Sequence, residues 1–230
     1  MFDGKFRAPI DKAIRPVGTL LRRTGLSPDH LTILGVLVAI GAAFAIANGS
    51  LYVGFALVIL AAIPDLLDGA LAKASDQASQ RGAFFDSVID RLTDAIIFAG
   101  VAYYYVTSDE PRLAMVPFGI LAFSLIISYE RAKAESLGLE AKGGLMERAE
   151  RIILLELGLL VHVILLPILW AMLALTALTA VQRFIKVWKQ AAVTPRTAAK
   201  MEIRRVRRAS RRAAYSDRSP TRVPRRRPNP

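Results

Sequence analysis

Four aspartates stand among apolar residues in the segment from 65 to 91 of the chain. Asp65 and Asp68 are three residues apart, and Asp86 and Asp90 are four apart, so each pair shares one face of a helix. The connection between the pairs is polar and short, which predicts antiparallel neighbouring helices whose acidic faces converge. Four carboxylates held together repel one another at neutral pH, so a positive group is expected among them.

The residue types around the acids favour a hard cation. The chain has no cysteine, which excludes a thiolate zinc site, a cysteine nucleophile and a disulfide framework. Carboxylate oxygens suit Mg²⁺, Mn²⁺ or Ca²⁺, and two such ions roughly 3.5–4 Å apart could clamp a phosphate during its transfer. Gly69 and Gly82 would let a bulky headgroup approach the backbone. The alternative, acids that only reach the interface or pair with Lys73, Arg81 and Arg91, is less favoured for clustered membrane acids.

Membrane helices are the elements that must position these acids, because 53% of the residues are hydrophobic. A helix needs about 20 apolar residues to cross the hydrocarbon layer. The sequence offers six such stretches: residues 31–48, from Leu51, from Gly82, from about Met115, and two within 151–187 that turn near Leu165 to Pro167. The predicted fold class is all-α integral membrane, with six transmembrane helices and an N-terminal amphipathic interfacial helix.

Charge divides the chain into three predicted regions. Residues 1–28 mix apolar and basic side chains and predict the amphipathic juxtamembrane segment. Residues 29–190 form the membrane domain. The tail, 191–230, is basic and largely disordered by composition, and it suits attraction to anionic membrane lipid rather than nucleic-acid binding. Lys and Arg concentrate in alternate loops, which predicts a multi-pass protein of the cell (inner) membrane with the active site and both termini cytoplasmic.

The acidic motif resembles a known signature. Asp65-x-x-Asp68-Gly69-x-x-Ala72, followed by Gly82-x-x-x-Asp86-x-x-x-Asp90, is similar to the motif of the CDP-alcohol phosphotransferases, also called CDP-alcohol phosphatidyltransferases. Lys73 departs from it, because the family usually has Arg there, and Lys keeps the charge but loses the two-pronged donor geometry. The resemblance implies transfer of a phosphatidyl group from a CDP-lipid to an alcohol, with release of CMP.

The resemblance also implies roles for individual residues. Asp65, Asp68, Asp86 and Asp90 would bind two divalent cations, Mg²⁺ or Mn²⁺. Asp90 would be a further ligand or the base that takes the acceptor hydroxyl's proton. The implied CDP-lipid-binding residues are Pro28, Thr32, Gly69, Ala72, Lys73 and Gly82. Asp94, one turn beyond Asp90, could orient a ligand or pair with Arg91.

A second motif bears on the acceptor. The stretch from Ser128 to Leu155 is similar to the corresponding part of phosphatidylinositol phosphate and archaetidylinositol phosphate synthases. The residues expected to bind a phosphate on the acceptor are Arg131, Lys133, Arg148, Arg151 and Arg183. A positive-inside bias alone would also place basic residues here, but it does not explain a lone Arg183 within an apolar segment. The expected partners are CDP-diacylglycerol and a phosphorylated polyol.

Several alternatives remain open at this stage. Inositol 1-phosphate is the leading acceptor and glycerol 3-phosphate, which would make the chain a phosphatidylglycerophosphate synthase, is the next. The lipid could be a diacyl or a diether form, and a homodimer is typical of the family. A cation transporter that uses the acidic cluster is the rival from another class, although it would want ionisable groups through the depth of the membrane.

Overall fold

A computed structural model describes residues 28–75 and 79–192, with the side chains in these ranges except those of residues 28 and 64–75. This part of the chain consists of helices and turns and has no strand, which confirms the all-α prediction. Its helices are α1 (Pro28–Ala47), α2 (Leu51–Ser75), α3 (Gln80–Val106), α4 (Met115–Ser136), α5 (Arg148–Leu160) and α6 (Leu165–Ala191). Short 3₁₀ helices, Pro111–Ala114 and His162–Ile164, precede α4 and α6.

Three of the described helices are long and apolar enough to cross a membrane: α1, α4 with its 3₁₀ turn, and α6 with its 3₁₀ turn. Only the part Leu51–Ile63 of α2 is continuously apolar. Helix α5 has 13 residues and is therefore about 20 Å long, shorter than the roughly 30 Å hydrocarbon layer. The chain is a membrane protein by these features, and the six crossings stay a prediction. The interfacial helix expected at 1–28 and the tail beyond 192 lie outside the described residues.

Large apolar side chains cover the outer faces of these helices. Exposed examples are Leu37, Phe44, Phe118, Val163, Trp170 and Phe184. Water would penalise so much exposed apolar surface, whereas lipid tails match it. The outer faces of the described helices are therefore suited to contact with lipid.

Helix α1 packs against both α2 and α3. Ala39, Ala42 and Ile46 of α1 are fully buried in the core. Gly100 of α3 lies against Ala43 so closely that an added Cβ would be 2.6 Å from the Ala43 carbonyl oxygen. Small residues thus allow the backbones of α1 and α3 to approach each other, as is common between membrane helices.

The turn between α5 and α6 lies at Val161–Ile164, just before the position expected from the sequence. The sequence predicted it near Leu165 to Pro167. Pro167 instead sits in the first turn of α6, where the backbone N–H that proline lacks would have no helical partner in any case.

The chain divides into two compact units, Met1–Lys186 and Val187–Pro230. The features discussed below all belong to the first unit. Of the second unit, the described residues are 187–192, at the end of α6.

Candidate active site

Helix α3 presents the second acidic pair on one face. The helix begins just after Ser79, whose hydroxyl accepts a hydrogen bond of 3.0 Å from the backbone N–H of Gly82. From this start, Asp86, Asp90 and Asp94 follow at intervals of four residues and share one side of the helix. The Asp90 side chain is 19% exposed and that of Asp94 is 12% exposed. The acids therefore become less exposed along the helix.

Asp90 lies in a small cavity where four helices meet. The cavity is lined by Thr32 and Gly35 of α1, Ala61 of α2, Ile89, Asp90 and Thr93 of α3, and Arg148 of α5. It brings together Thr32, predicted to approach the CDP-lipid, Asp90 from the acidic motif, and Arg148, predicted to bind the acceptor. The sequence kept these three residues in separate motifs, and the fold places them around one space.

An arginine from the second motif pairs directly with an aspartate of the first. Arg148 Nη1 is 2.7 Å from Asp90 Oδ1, and Arg91 Nη1 is 3.3 Å from Asp90 Oδ2. Arg91 also donates a 2.8 Å hydrogen bond to the Ser87 carbonyl within its own helix. Each Asp90 oxygen thus has a guanidinium beside it, and the positive charge expected near the acids is partly supplied by the protein itself.

Asp94 joins two of the predicted acceptor residues. Its Oδ1 is 3.3 Å from Arg148 Nε and its Oδ2 is 3.2 Å from Arg151 Nη2. The pairing with Arg91 that the sequence allowed does not form, because Arg91 bonds to Asp90 and Ser87 instead. The α3 and α5 helices are therefore connected by a continuous series of ion pairs.

The surroundings of the Asp94–Arg151 pair are apolar. The other residues that line the adjoining cavity are Val58, Ile97, Phe98, Ile152 and Leu155. Arg151 is only 4% exposed, and its Nη1 also donates to the Met146 carbonyl at 3.4 Å. The buried charge of Arg151 therefore requires the Asp94 carboxylate, since a buried ion without a partner is strongly destabilising.

Arg183 holds the loop that precedes α5. It is 5% exposed, and it donates to the carbonyls of Ile127 at 3.0 Å and Gly143 at 3.1 Å. Its Nη2 also lies 3.5 Å from Glu147 Oε1. The same side of α6 contributes Thr179, whose hydroxyl accepts a 3.0 Å hydrogen bond from the backbone N–H of Met146.

Lys186 completes this contact by donating to the Lys142 carbonyl at 2.7 Å. Within the loop, Gly143 adopts a positive φ of 94°, a conformation in which other residues are strained. Helix α6 therefore fixes the path of the chain into α5, and so the start of the helix that carries Arg148.

Two further acceptor candidates lie at the end of α4. Arg131 and Lys133 are exposed in the last turns of α4, and Arg131 pairs with Glu135 at 3.0 Å on its own helix. Arg183 interacts electrostatically with Arg131 and with Arg151. The structure thus joins Arg148 and Arg151 to the acidic face, and Arg183 contacts Glu147, the residue that precedes Arg148.

The sequence indicated that Asp94 could orient a ligand, but it did not predict the contacts with Arg148 and Arg151, nor the loop contacts of Thr179 and Lys186. The interval of four residues from Asp86 to Asp90 to Asp94 was the signal for Asp94. The partners of Thr179 and Lys186 are backbone groups, which leave no signal in the sequence.

The described carboxylates of the acidic motif are suitable ligands for divalent cations. Asp86 and Asp90 offer carboxylate oxygens one helical turn apart on α3, the ligand type that Mg²⁺ and Mn²⁺ prefer. The described side chains contain no group of three or more potential metal ligands. Asp65 and Asp68 belong to α2, and their side chains lie outside the described ones, as do those of Pro28, Ala72 and Lys73 and the surroundings of Gly69.

Comparison with known sequences identifies relatives over most of the chain. Archaetidylinositol phosphate synthase of Methanothermobacter thermautotrophicus is 38% identical over 193 residues, which cover 81% of this chain and 94% of the relative. Phosphatidylinositol phosphate synthase of Cutibacterium acnes is 38% identical over 197 residues, with 79% and 95% covered. Both alignments extend well beyond the acidic motif.

Solved structures share the fold. Phosphatidylinositol phosphate synthase of Mycobacterium tuberculosis with CDP-DAG bound superimposes with a TM-score of 0.72 at 31% identity, covering 77% of this chain and 94% of that one. The same enzyme in complex with manganese and citrate gives a TM-score of 0.72 at 32% identity, covering 76% and 88%.

The family model for CDP-alcohol phosphatidyltransferases matches residues 26–193, which include every helix described above. This match agrees with the relatives and with the resemblance of the acidic motif, and it favours a transferase over the cation transporter. The chain belongs to the CDP-alcohol phosphatidyltransferase family.

Proposed function

We propose that this transferase moves a phosphatidyl group from CDP-diacylglycerol to inositol 1-phosphate, giving phosphatidylinositol phosphate and CMP. The observation that carries the proposal is the 2.7 Å contact between Asp90 and Arg148 in the cavity that Thr32 also lines. An aspartate of the acidic motif and an arginine of the acceptor motif thus lie next to each other. That arrangement suits a reaction in which a phosphorylated acceptor meets an activated phosphate.

Asp65, Asp68 and Asp86 would hold two divalent cations, Mg²⁺ or Mn²⁺, and Asp90 would lie beside them as a further ligand or as the base. When bound, such ions neutralise the pyrophosphate and stabilise the departing CMP. The backbone of α2 supports a role for Asp65 in this metal site. Ala61 lines the cavity beside Asp90, and Asp65 follows Ala61 by one helical turn. The manganese complex of the Mycobacterium tuberculosis relative is consistent with this proposal.

Asp90 is the proposed base. It would take the proton from the attacking hydroxyl of the acceptor as the acceptor oxygen bonds to the lipid-side phosphorus, while the bond from that phosphorus to the CMP oxygen breaks. A positioned carboxylate contributes typically 10²–10⁴-fold to such a step. Arg148 Nη1, 2.7 Å from Asp90 Oδ1, would hold the carboxylate in one orientation beside the cavity.

The basic residues are proposed to bind the phosphate of the acceptor. Arg148 and Arg151 share one side of α5, and Arg183 approaches from α6. Planar guanidinium groups form paired hydrogen bonds to phosphate oxygens, which gives orientation as well as affinity. Arg131 and Lys133 of α4 would add to the positive field through which an anionic acceptor arrives.

The CDP-lipid is proposed to lie against α1, α2 and the start of α3. Thr32 supports this placement because it lines the cavity with Asp90. At Gly82, the nearest described atom to an added Cβ would be the Ser79 hydroxyl oxygen, at 3.3 Å. The other proposed contacts are Pro28, Gly69, Ala72 and Lys73.

The proposed setting is the cell membrane. Six crossings with both termini and the active site in the cytoplasm remain the proposed topology, and homodimerisation is part of the proposal. A diether lipid is the second candidate substrate, because the Methanothermobacter thermautotrophicus relative is named an archaetidylinositol phosphate synthase. In both lipid cases the acceptor would be the same.

The test is the acceptor dependence of CMP release by the detergent-purified protein. CDP-diacylglycerol and Mn²⁺ or Mg²⁺ are supplied with inositol 1-phosphate, glycerol 3-phosphate or free inositol. The proposal expects release with inositol 1-phosphate only, and loss of release after chelation that added Mn²⁺ or Mg²⁺ restores. Release with glycerol 3-phosphate only would replace the proposed acceptor, and release that survives chelation would contradict the metal site.

A further inference from the structure

We infer that Asp94 is a positioning residue for acceptor binding, which acts through Arg148 and Arg151 and does not touch the substrates. The inference rests on the proposed function, because it assigns those arginines to the acceptor phosphate. The Asp94 carboxylate divides its two oxygens between the two guanidinium groups, at 3.3 Å to Arg148 and 3.2 Å to Arg151.

The contacts of Asp94 set the orientation of Arg148. The guanidinium is planar and rigid, so fixing two of its nitrogens fixes the whole group. Asp94 engages Nε and Asp90 engages Nη1. Without Asp94, the contact at Nε is lost, and the guanidinium is held less firmly in this orientation. The nitrogens available to a phosphate would then be less well directed.

Asp94 also reduces the electrostatic repulsion between the two arginines. Arg148 and Arg151 are three residues apart on α5, so their like charges lie on one side of the helix and repel each other. Arg151 is almost fully buried, and its Nη2 has Asp94 as its carboxylate partner. The shared carboxylate offsets the repulsion and the cost of burial before any phosphate arrives. The binding groups are therefore already in place when the acceptor enters.

The position of Asp94 argues against a direct chemical role. Both of its oxygens already bond to arginines, and it lies one turn farther along α3 than Asp90. Asp94 is absent from the lining of the cavity that contains Asp90 and Thr32. Its effect on the reaction must pass through the two side chains that it contacts.

The test is the kinetics of Asp94→Asn with CDP-diacylglycerol and inositol 1-phosphate. The amide keeps the shape, but its NH₂ group would face one of the guanidinium groups, donor against donor. Loss of a charged hydrogen bond of this kind predicts a rise of roughly tenfold to a hundredfold in KM for inositol 1-phosphate, with less than about a twofold change in KM for CDP-diacylglycerol. Asp94→Glu, which keeps the charge, is expected to recover much of this loss. Asp109→Asn, in an exposed turn, is the matched control and is expected to match the wild type.

Equal KM values for the acceptor in Asp94→Asn and wild type, or an equal rise in both KM values, would overturn the inference. So would Asp94→Glu behaving no better than Asp94→Asn. A wild-type protein without acceptor-dependent CMP release would refute the proposed function instead. In that case the shift in melting temperature produced by inorganic phosphate still tests the inference. Phosphate should stabilise the wild type and Asp109→Asn but not Asp94→Asn. Equal stabilisation of all three proteins would overturn the inference.

Discussion

Gly100 gives the sharpest prediction about the framework of the site. An added Cβ at this position would lie 2.6 Å from the Ala43 carbonyl oxygen and 2.7 Å from the Ala43 Cα. These atoms belong to the backbone of α1 and cannot rotate away as a side chain can. The substitution Gly100→Ala must therefore displace α1 from α3. The two helices carry Thr32 and Asp90, so the displacement would also widen the cavity of the candidate active site.

The size of the effect follows from the overlap. The Cβ would sit about 0.8 Å inside the 3.4 Å at which ordinary contact begins. Overpacking of this kind costs about 1–3 kcal/mol. Alanine favours a helix over glycine by about 1 kcal/mol, a gain that applies equally to Gly41→Ala in α1. At Gly41 the nearest atom to an added Cβ is Leu57 Cδ1 at 3.8 Å, so this control carries the gain without the overlap.

The assay is thermal unfolding of the two variants and the wild type in the same detergent. A difference of 1–3 kcal/mol corresponds to a melting temperature for Gly100→Ala about 3–10 °C below that of Gly41→Ala. Gly41→Ala itself should melt at or above the wild type. Equal melting temperatures for Gly100→Ala and Gly41→Ala would show that α1 and α3 do not approach each other closely at Gly100.

Two further predictions concern the loop and the proposed base. Thr179→Val leaves the buried Met146 N–H without this partner and should lower the free energy of unfolding by about 1–3 kcal/mol. Thr176→Val removes a hydroxyl that donates to the Met172 carbonyl of its own helix, and it should cost clearly less. Equal costs in denaturant titrations would contradict the loop contact. Asp90→Asn should abolish CMP release and keep CDP-lipid binding, measured by direct titration of the lipid. Loss of both would make Asp90 an essential ligand rather than the base.

The sequence was a good guide to the helices and to the motif residues on them. Apolar run lengths predicted where α1, α2, α3 and α4 begin, within a few residues. The turn before α6 was misplaced because the proline signal is ambiguous at a helix start, where Pro167 is tolerated. Local patterns thus describe each helix well and its ends less well.

Contacts between helices were outside the reach of the sequence. Arg91 lies on the same helix as Asp94, whereas Arg148 and Arg151 lie on α5. Whether Asp94 contacts the two α5 arginines depends on the rotation of α5 against α3, and the packing of the bundle sets that rotation. Arg183 was predicted as a phosphate ligand from its charge and from its isolated place in an apolar segment. Its hydrogen bonds to the carbonyls of Ile127 and Gly143 could not be foreseen, because every residue offers the same carbonyl group.

The most direct test of the central claim is the identity of the lipid product when the acceptors compete. The purified protein receives CDP-diacylglycerol, Mn²⁺ and equal amounts of inositol 1-phosphate, glycerol 3-phosphate and free inositol, and the products are identified by mass spectrometry. We expect phosphatidylinositol phosphate as the dominant product. Arg148 beside Asp90 and Arg151 beside Asp94 favour an acceptor that carries a phosphate, and the similarity to phosphatidylinositol phosphate synthases favours inositol 1-phosphate over glycerol 3-phosphate. Dominance of unphosphorylated phosphatidylinositol, or of phosphatidylglycerophosphate, would contradict this expectation.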